Sequence, residues 1–219
     1  MAFDEDRAWQ VIEQQRLAIA DVLGGLSAEE WEMPSLCAGW RIRDVAAHLC
    51  LTPLSPPMSE IARTLVRARG DYNRAIDRLT RAAAERPTAQ LVSDIHDNAS
   101  SRKLPALTNF GNTLFDVIVH GQDIAIPLGR HIGVPATAAA AAASRAWQVG
   151  WPVWNEHRLD GFRLTATDLD WTIGSGAQVR GPIVALLLVI TGRPAGLDHL
   201  AGEGVRALAA RLRVERHPH

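Results

Sequence analysis

The sequence predicts a mainly α protein: a bundle of about four main helices over residues 1–157, followed by a small α+β domain over 158–219. Three observations carry that reading. Apolar residues recur at helical spacing through most of the first 157 residues. Proline and glycine clusters punctuate the pattern, as in "GG" at 24–25 and "TPLSPP" at 52–57. After His157 the pattern changes to β-branched alternation in "FRLTATDLDWTIGSG".

The elements follow in order. Trp9, Ile12, Leu17, Ala20 and Leu23 share one helical face, which Gly24 and Gly25 end. "SAEEW" at 27–31 has the Ser-x-x-Glu signature of a capped short turn. Ile42, Val45, Ala46 and Leu49 mark a second helix carrying His48, broken by the prolines of 52–57. Residues 59–85 read as one long Arg-rich helix, and 88–98 as another helical turn or two. Leu114, Val117, Ile118, Gly121 and Ile124 define the fourth main helix, and an Ala-rich helix runs from Pro135 to Trp151. A hairpin over 162–176 is then followed by a buried helix at 183–190 and an amphipathic one near the C-terminus.

Composition narrows the function classes. Net charge is −1 with no basic block, so the phosphate-binding footprint of a nucleic-acid protein is missing. The longest strongly apolar run, "IVALLLVI", has eight residues where a span needs about 20. No signal peptide precedes the acidic start, and two cysteines do not make a disulfide scaffold, so the expectation is a cytoplasmic protein.

The sharpest chemical feature is on the fourth main helix. Asp116 and His120 are four apart, so they stack on one face and can reach one ion; Asp123 follows as a second acceptor for the imidazole. An intrahelical ion pair explains the same spacing. His48 is the natural third ligand from another helix, although a packed core histidine is the plainer reading of it alone. His96 is the reserve ligand. Cys50 points away from His48, and Cys37 lacks a neighbouring base. Two histidines and a carboxylate would leave a coordination position open, as in catalytic zinc.

"PSLCAGWRIRDVAAHL" at 34–49 resembles the P-S-x-C-x-G-W-x-V-x-D-V-x-A-H-L signature of the mycothiol-dependent maleylpyruvate isomerase family, one of the DinB-like metal-binding bundles. "DVIVHGQDIAIPLG" at 116–129 is similar to the family's second signature, and residues 164–193 to its small C-terminal domain. The resemblance implies a DinB-like up-down four-helix bundle with His48, Asp116 and His120 as zinc ligands. It departs in two places. Asp116 stands where the isomerase has Glu, and Arg41 where relatives often carry a capping Thr.

The resemblance further implies that zinc, or another divalent metal, activates mycothiol for attack on a small-molecule electrophile. The outcome is cis–trans isomerisation or S-transfer. Arg180 and Arg193 are candidates for clamping an anionic substrate. Neither nucleic acid nor membrane is an expected partner, and the chain is read as a monomer or homodimer. A non-catalytic binding bundle and a metal-dependent hydrolase are the alternative readings.

Overall fold

Asp4 begins the first helix by accepting the Arg7 backbone N–H at 2.8 Å, and α1 then runs Glu5–Gly24 in a computed structural model. The structure describes residues 4–54, 58–67, 69, 71–104, 108–150 and 159–214. The expected capped turn is α2 (Ala28–Glu32): Glu30 N–H donates to Ser27 Oγ, and Ser27 N–H donates back to Glu30 Oε2. Next come α3 (Ile42–Leu54), α4 (Met58–Arg67), α5 (Tyr72–Ala84), α6 (Thr88–Asp97) and α7 (Phe110–Ala125).

The long helix expected over 59–85 is therefore two. Arg69 takes a left-handed φ of 57°, and Asp71 restarts the chain by accepting the Arg74 N–H at 3.0 Å. A fresh N-cap is local chemistry that an apolar count overlooks. Helix α3 also runs on through Pro53; residues 55–57 lie outside the described ones.

Helices α1, α3, α6 and α7 form the bundle, and residue pairs give their directions. Leu36 N–H donates to Asp123 O while His48 faces Asp116, so α3 and α7 run oppositely. Gly24 lies against Val92 while Arg16 reaches carbonyls at 98–101, so α1 and α6 also oppose. Arg43 bonds Ala84 O and Cys50 lies at Leu91 O, which makes α3 and α6 parallel. The alternation of a simple up-down bundle is thus broken once, because α4 and α5 return the chain before α6 begins. Between these helices Ile12, Ile19, Ile42, Leu91, Leu114 and Ile118 are fully buried, each worth about 1.5–3 kcal/mol.

The missing Thr cap at α3 is offset. Arg41 N–H donates to Asp44 Oδ2 at 2.9 Å, and the Arg41 guanidinium grips the same carboxylate from Nε and Nη2, both at 3.0 Å. Burial works against the Asp44 charge, but the Arg41 side-chain and backbone hydrogen bonds outweigh it and hold the carboxyl below its usual range. A depressed carboxyl stabilises the fold above its unfolded value, about 3.9, and loses that contribution as pH falls through the lower folded value. Asp44→Asn is therefore expected to cost about 1–3 kcal/mol in urea unfolding at pH 7, with the gap to wild type narrowing as pH falls from about 4 through the lowered folded value. Equal stability at pH 7 would contradict this account.

The chain divides into two compact units, Asp4–Ile132 and Gly133–His219. That boundary precedes the Ala-rich helix α8 (Ala136–Val149), whereas the composition change suggested 157/158. The reason is packing. The small side chains of α8 lie on α9 (Ile183–Ile190), and Trp171 Nε1 donates to Ser144 Oγ at 2.9 Å. A poly-Ala helix is helical in either place, so its sequence does not say which neighbour it serves.

The second unit holds a three-stranded sheet of order β2-β1-β3: β1 (Phe162–Ala166), β2 (Thr172–Gly174) and β3 (Ala177–Gly181). The predicted hairpin is present, with Leu164 opposite Ile173; β3 adds in parallel, with Leu164 opposite Val179. That tight return needs glycine, because a Cβ at Gly176 (φ 115°) would strike the Gly161 carbonyl. Asp168, which interrupts the strand alternation, accepts the Ile183 N–H at 3.0 Å and so caps the wholly apolar α9. A 3-10 turn (Pro194–His199) and α10 (Val205–Val214) complete the unit. No helix among the described residues is long and apolar enough to cross a membrane.

Candidate metal centre

Helix α3 presents His48 and α7 presents Asp116 and His120, and the antiparallel crossing brings the three together. His48 Nε2 lies 3.4 Å and His120 Nε2 3.5 Å from Asp116 Oδ1, and one ligand atom from each residue lies within 4.8 Å of the others. Their side chains are 16 %, 25 % and 10 % exposed in chain order, so the cluster sits at the edge of the core. Ligands about 2.0–2.1 Å from a tetrahedral zinc are about 3.4 Å apart, which is close to both measured separations. The donor set fits a divalent metal of that size. It also shows that Asp116, one methylene shorter than Glu, still reaches both imidazoles.

Each imidazole is held from behind. His120 Nδ1 is 2.8 Å from Oδ2 of the fully buried Asp123, so an Nδ1–H given to that carboxylate leaves the Nε2 lone pair facing Asp116. His48 Nδ1 faces Thr80 Oγ1 at 3.4 Å. Trp40 closes one side, with its rings 5.2 Å from His48 and 6.1 Å from His120 and its Nε1 donating to Asp77 Oδ1 at 2.9 Å. Arg81 ties the same wall together, bonding Asp77 and the Gly39 carbonyl.

Residues 12–102 match the family model of the mycothiol maleylpyruvate isomerase N-terminal domain. The match spans less than half of the chain's 219 residues. The matched stretch contains His48, Thr80 and Trp40 but ends before α7, so the Asp116–His120 half of the centre rests on the geometry. Two solved structures have the same fold. One is the mycothiol-dependent maleylpyruvate isomerase, at TM-score 0.63 and 13% identity, covering 90% of this chain and 92% of that one. The other is a histidine-to-alanine mutant of the mycothiol-dependent maleylpyruvate isomerase, at 0.60 and 12%, with the same coverage. No curated protein sequence matches the chain.

Against the isomerase-family expectation, the structure brings His48, Asp116 and His120 together and leaves the other candidates elsewhere. His96 is 60 % exposed on α6 and pairs with Asp97. Cys50 is buried, its thiol at the Ala46 and Leu91 carbonyls, and burial pushes its pKa up to about 12, so it is neither a thiolate nor a ligand. Cys37 is half-buried in the loop before α3. Arg180 is exposed on β3, and Arg193 follows α9 with Nη1 donating to Thr191 O at 2.6 Å; both belong to the C-terminal unit. Sequence reasoning missed Thr80 and Trp40. Trp40 stands inside the family signature and was within reach; nothing marks Thr80, whose helix was read only as Arg-rich.

Proposed function

We propose that the chain is a cytoplasmic zinc-dependent enzyme that uses mycothiol as thiol cosubstrate against a small-molecule electrophile, with cis–trans isomerisation of the maleylpyruvate type or S-transfer as the outcome. One observation carries the proposal: two back-bonded imidazoles and a carboxylate converge within 4.8 Å, in a chain whose residues 12–102 match a mycothiol maleylpyruvate isomerase domain.

His48, Asp116 and His120 would hold the metal, which when bound supplies the Lewis acidity that favours a deprotonated thiol at neutral pH. The protein's own part is orientation. Asp123 takes the Nδ1–H of His120 and so turns the Nε2 lone pair toward Asp116, and Trp40 shields one side of the centre from water. The thiol sulfur then bonds to an electrophilic alkene carbon as the π pair moves toward the adjoining carbonyl. Rotation about the resulting single bond and expulsion of the sulfur returns the thiol with an isomerised alkene. Protonation of the adduct instead leaves a thioether, which is S-transfer. Arg180 and Arg193 are the C-terminal unit's candidates for a substrate carboxylate.

Elemental analysis of the purified chain is expected to find about one zinc per chain, and proton NMR of a maleylpyruvate reaction is expected to show turnover that needs added mycothiol. Loss of the cis alkene with thiol conserved identifies the isomerase, and a thioether identifies the transferase. Equal turnover without thiol would replace the proposal with a hydrolase. A metal-free protein that binds the electrophile unchanged would replace it with a binding bundle.

A further inference from the structure

Arg16, on α1, is 3 % exposed, and among the described residues only its Nη1 makes hydrogen bonds. Nη1 donates to the carbonyls of Ser101, Ala99 and Asn98 at 2.8, 3.1 and 3.4 Å, which ends α6 and fixes the plane of the guanidinium. Nε and Nη2 have no hydrogen-bond partner among the described residues. These two nitrogens form the side-on edge whose parallel N–H groups match a carboxylate. An arginine buried this deeply with that edge unused is uncommon.

Helix register puts Arg16 at the level of the metal centre. Ile19 lies against Gly121 and Gly25 near Arg130, so α1 and α7 run parallel. Arg16, one turn before Ile19, then falls level with the turn of α7 that carries Asp116. Burial is the main influence opposing the Arg16 charge, and Asp116 is the carboxylate that supports it. Once Asp116 serves a divalent cation, that support is shared. Two positive charges from the metal and one from Arg16 then face the carboxylates of Asp116 and Asp123, leaving a net charge near +1 for a ligand to answer.

We infer that Arg16 binds a carboxylate of the electrophilic substrate through Nε and Nη2, holding the substrate's reactive carbon against the His48–Asp116–His120 centre. The inference rests on the functional reading above and makes Arg16 a specificity residue supplied by the bundle itself. Electrophiles without a carboxylate are then poor substrates.

Maleate is the probe, used with the full-length chain at its measured metal content. In ¹⁵N-labelled wild type, the Nε–Hε signal that disappears in Arg16→Lys is expected to shift saturably with maleate. By calorimetry, Arg16→Met is expected to weaken maleate about 10- to 100-fold, the worth of one charge-assisted contact, with KM for a carboxylate substrate rising more than kcat falls. A wild-type Arg16 signal indifferent to maleate, or maleate affinity within about twofold of wild type in folded Arg16→Met and Arg16→Lys, overturns the inference and leaves Arg16 as a structural cap of α6. If Arg16→Met does not fold, the wild-type titration decides. Thiol-dependent turnover with Arg16-independent maleate binding would sink this inference alone; Arg16-dependent binding without thiol chemistry would sink only the functional reading.

Discussion

His120→Ala is expected to lower bound zinc from about one ion per chain to about a tenth or less, and to reduce thiol-dependent turnover at least about 100-fold. Three protein donors hold the proposed ion, and the loss of one leaves His48 and Asp116 to hold it from different helices, with less of the chelation that makes the site. The neutral imidazole is the donor most suited to zinc, and at 10 % exposure it is the most enclosed of the three. His48→Ala should behave alike, and His96→Ala, at an exposed position, should leave metal and turnover unchanged. Inductively coupled plasma measurement on dialysed proteins checks this. Wild-type zinc in both ligand variants would exclude these residues as the metal site.

Asp123→Asn should weaken zinc about 10- to 100-fold, measured by competition with a chromophoric chelator, although Asp123 touches no metal. Its carboxylate is fully buried and 2.8 Å from His120 Nδ1, so it both chooses the tautomer and raises the basicity of Nε2. The amide can keep a hydrogen bond but not the charge. Asp123→Leu removes the bond as well, leaving a buried Nδ1–H without its acceptor, and should cost about 1–3 kcal/mol of stability in addition. If both variants bind zinc as tightly as wild type, Asp123 does not orient His120. The shared Leu36 bond to the Asp123 carbonyl is made by backbone and survives either change.

Much of the centre was legible because its parts obey local rules. Asp116, His120 and Asp123 share one helical face by spacing alone, and the structure keeps them there, with Asp123 on the imidazole as expected. The capping box at Ser27 and the hairpin at Leu164–Ile173 were readable for the same reason. His48 was different. Periodicity made it a core histidine, and the signature around it made it a ligand; its 3.4 Å approach to Asp116 is a property of two helices meeting. The long helix over 59–85 failed because amphipathic spacing continues across a break that a single Asp71 cap decides.

By itself the sequence determined the helices, their caps and the chemical types gathered on α7, since each depends on residues three or four apart. It also determined, through the signature at 34–49, which kind of bundle to expect. Tertiary structure decided the rest: that α6 runs parallel to α3, that Thr80 and Trp40 stand beside His48, that the Ala-rich helix serves the second unit, and that Arg16 ends α6 through Nη1. Those contacts join residues tens of positions apart, and their side chains carry no local signature of the partner they will meet. A buried arginine reads in sequence like any other of the chain's 23 basic residues until packing removes water from around it.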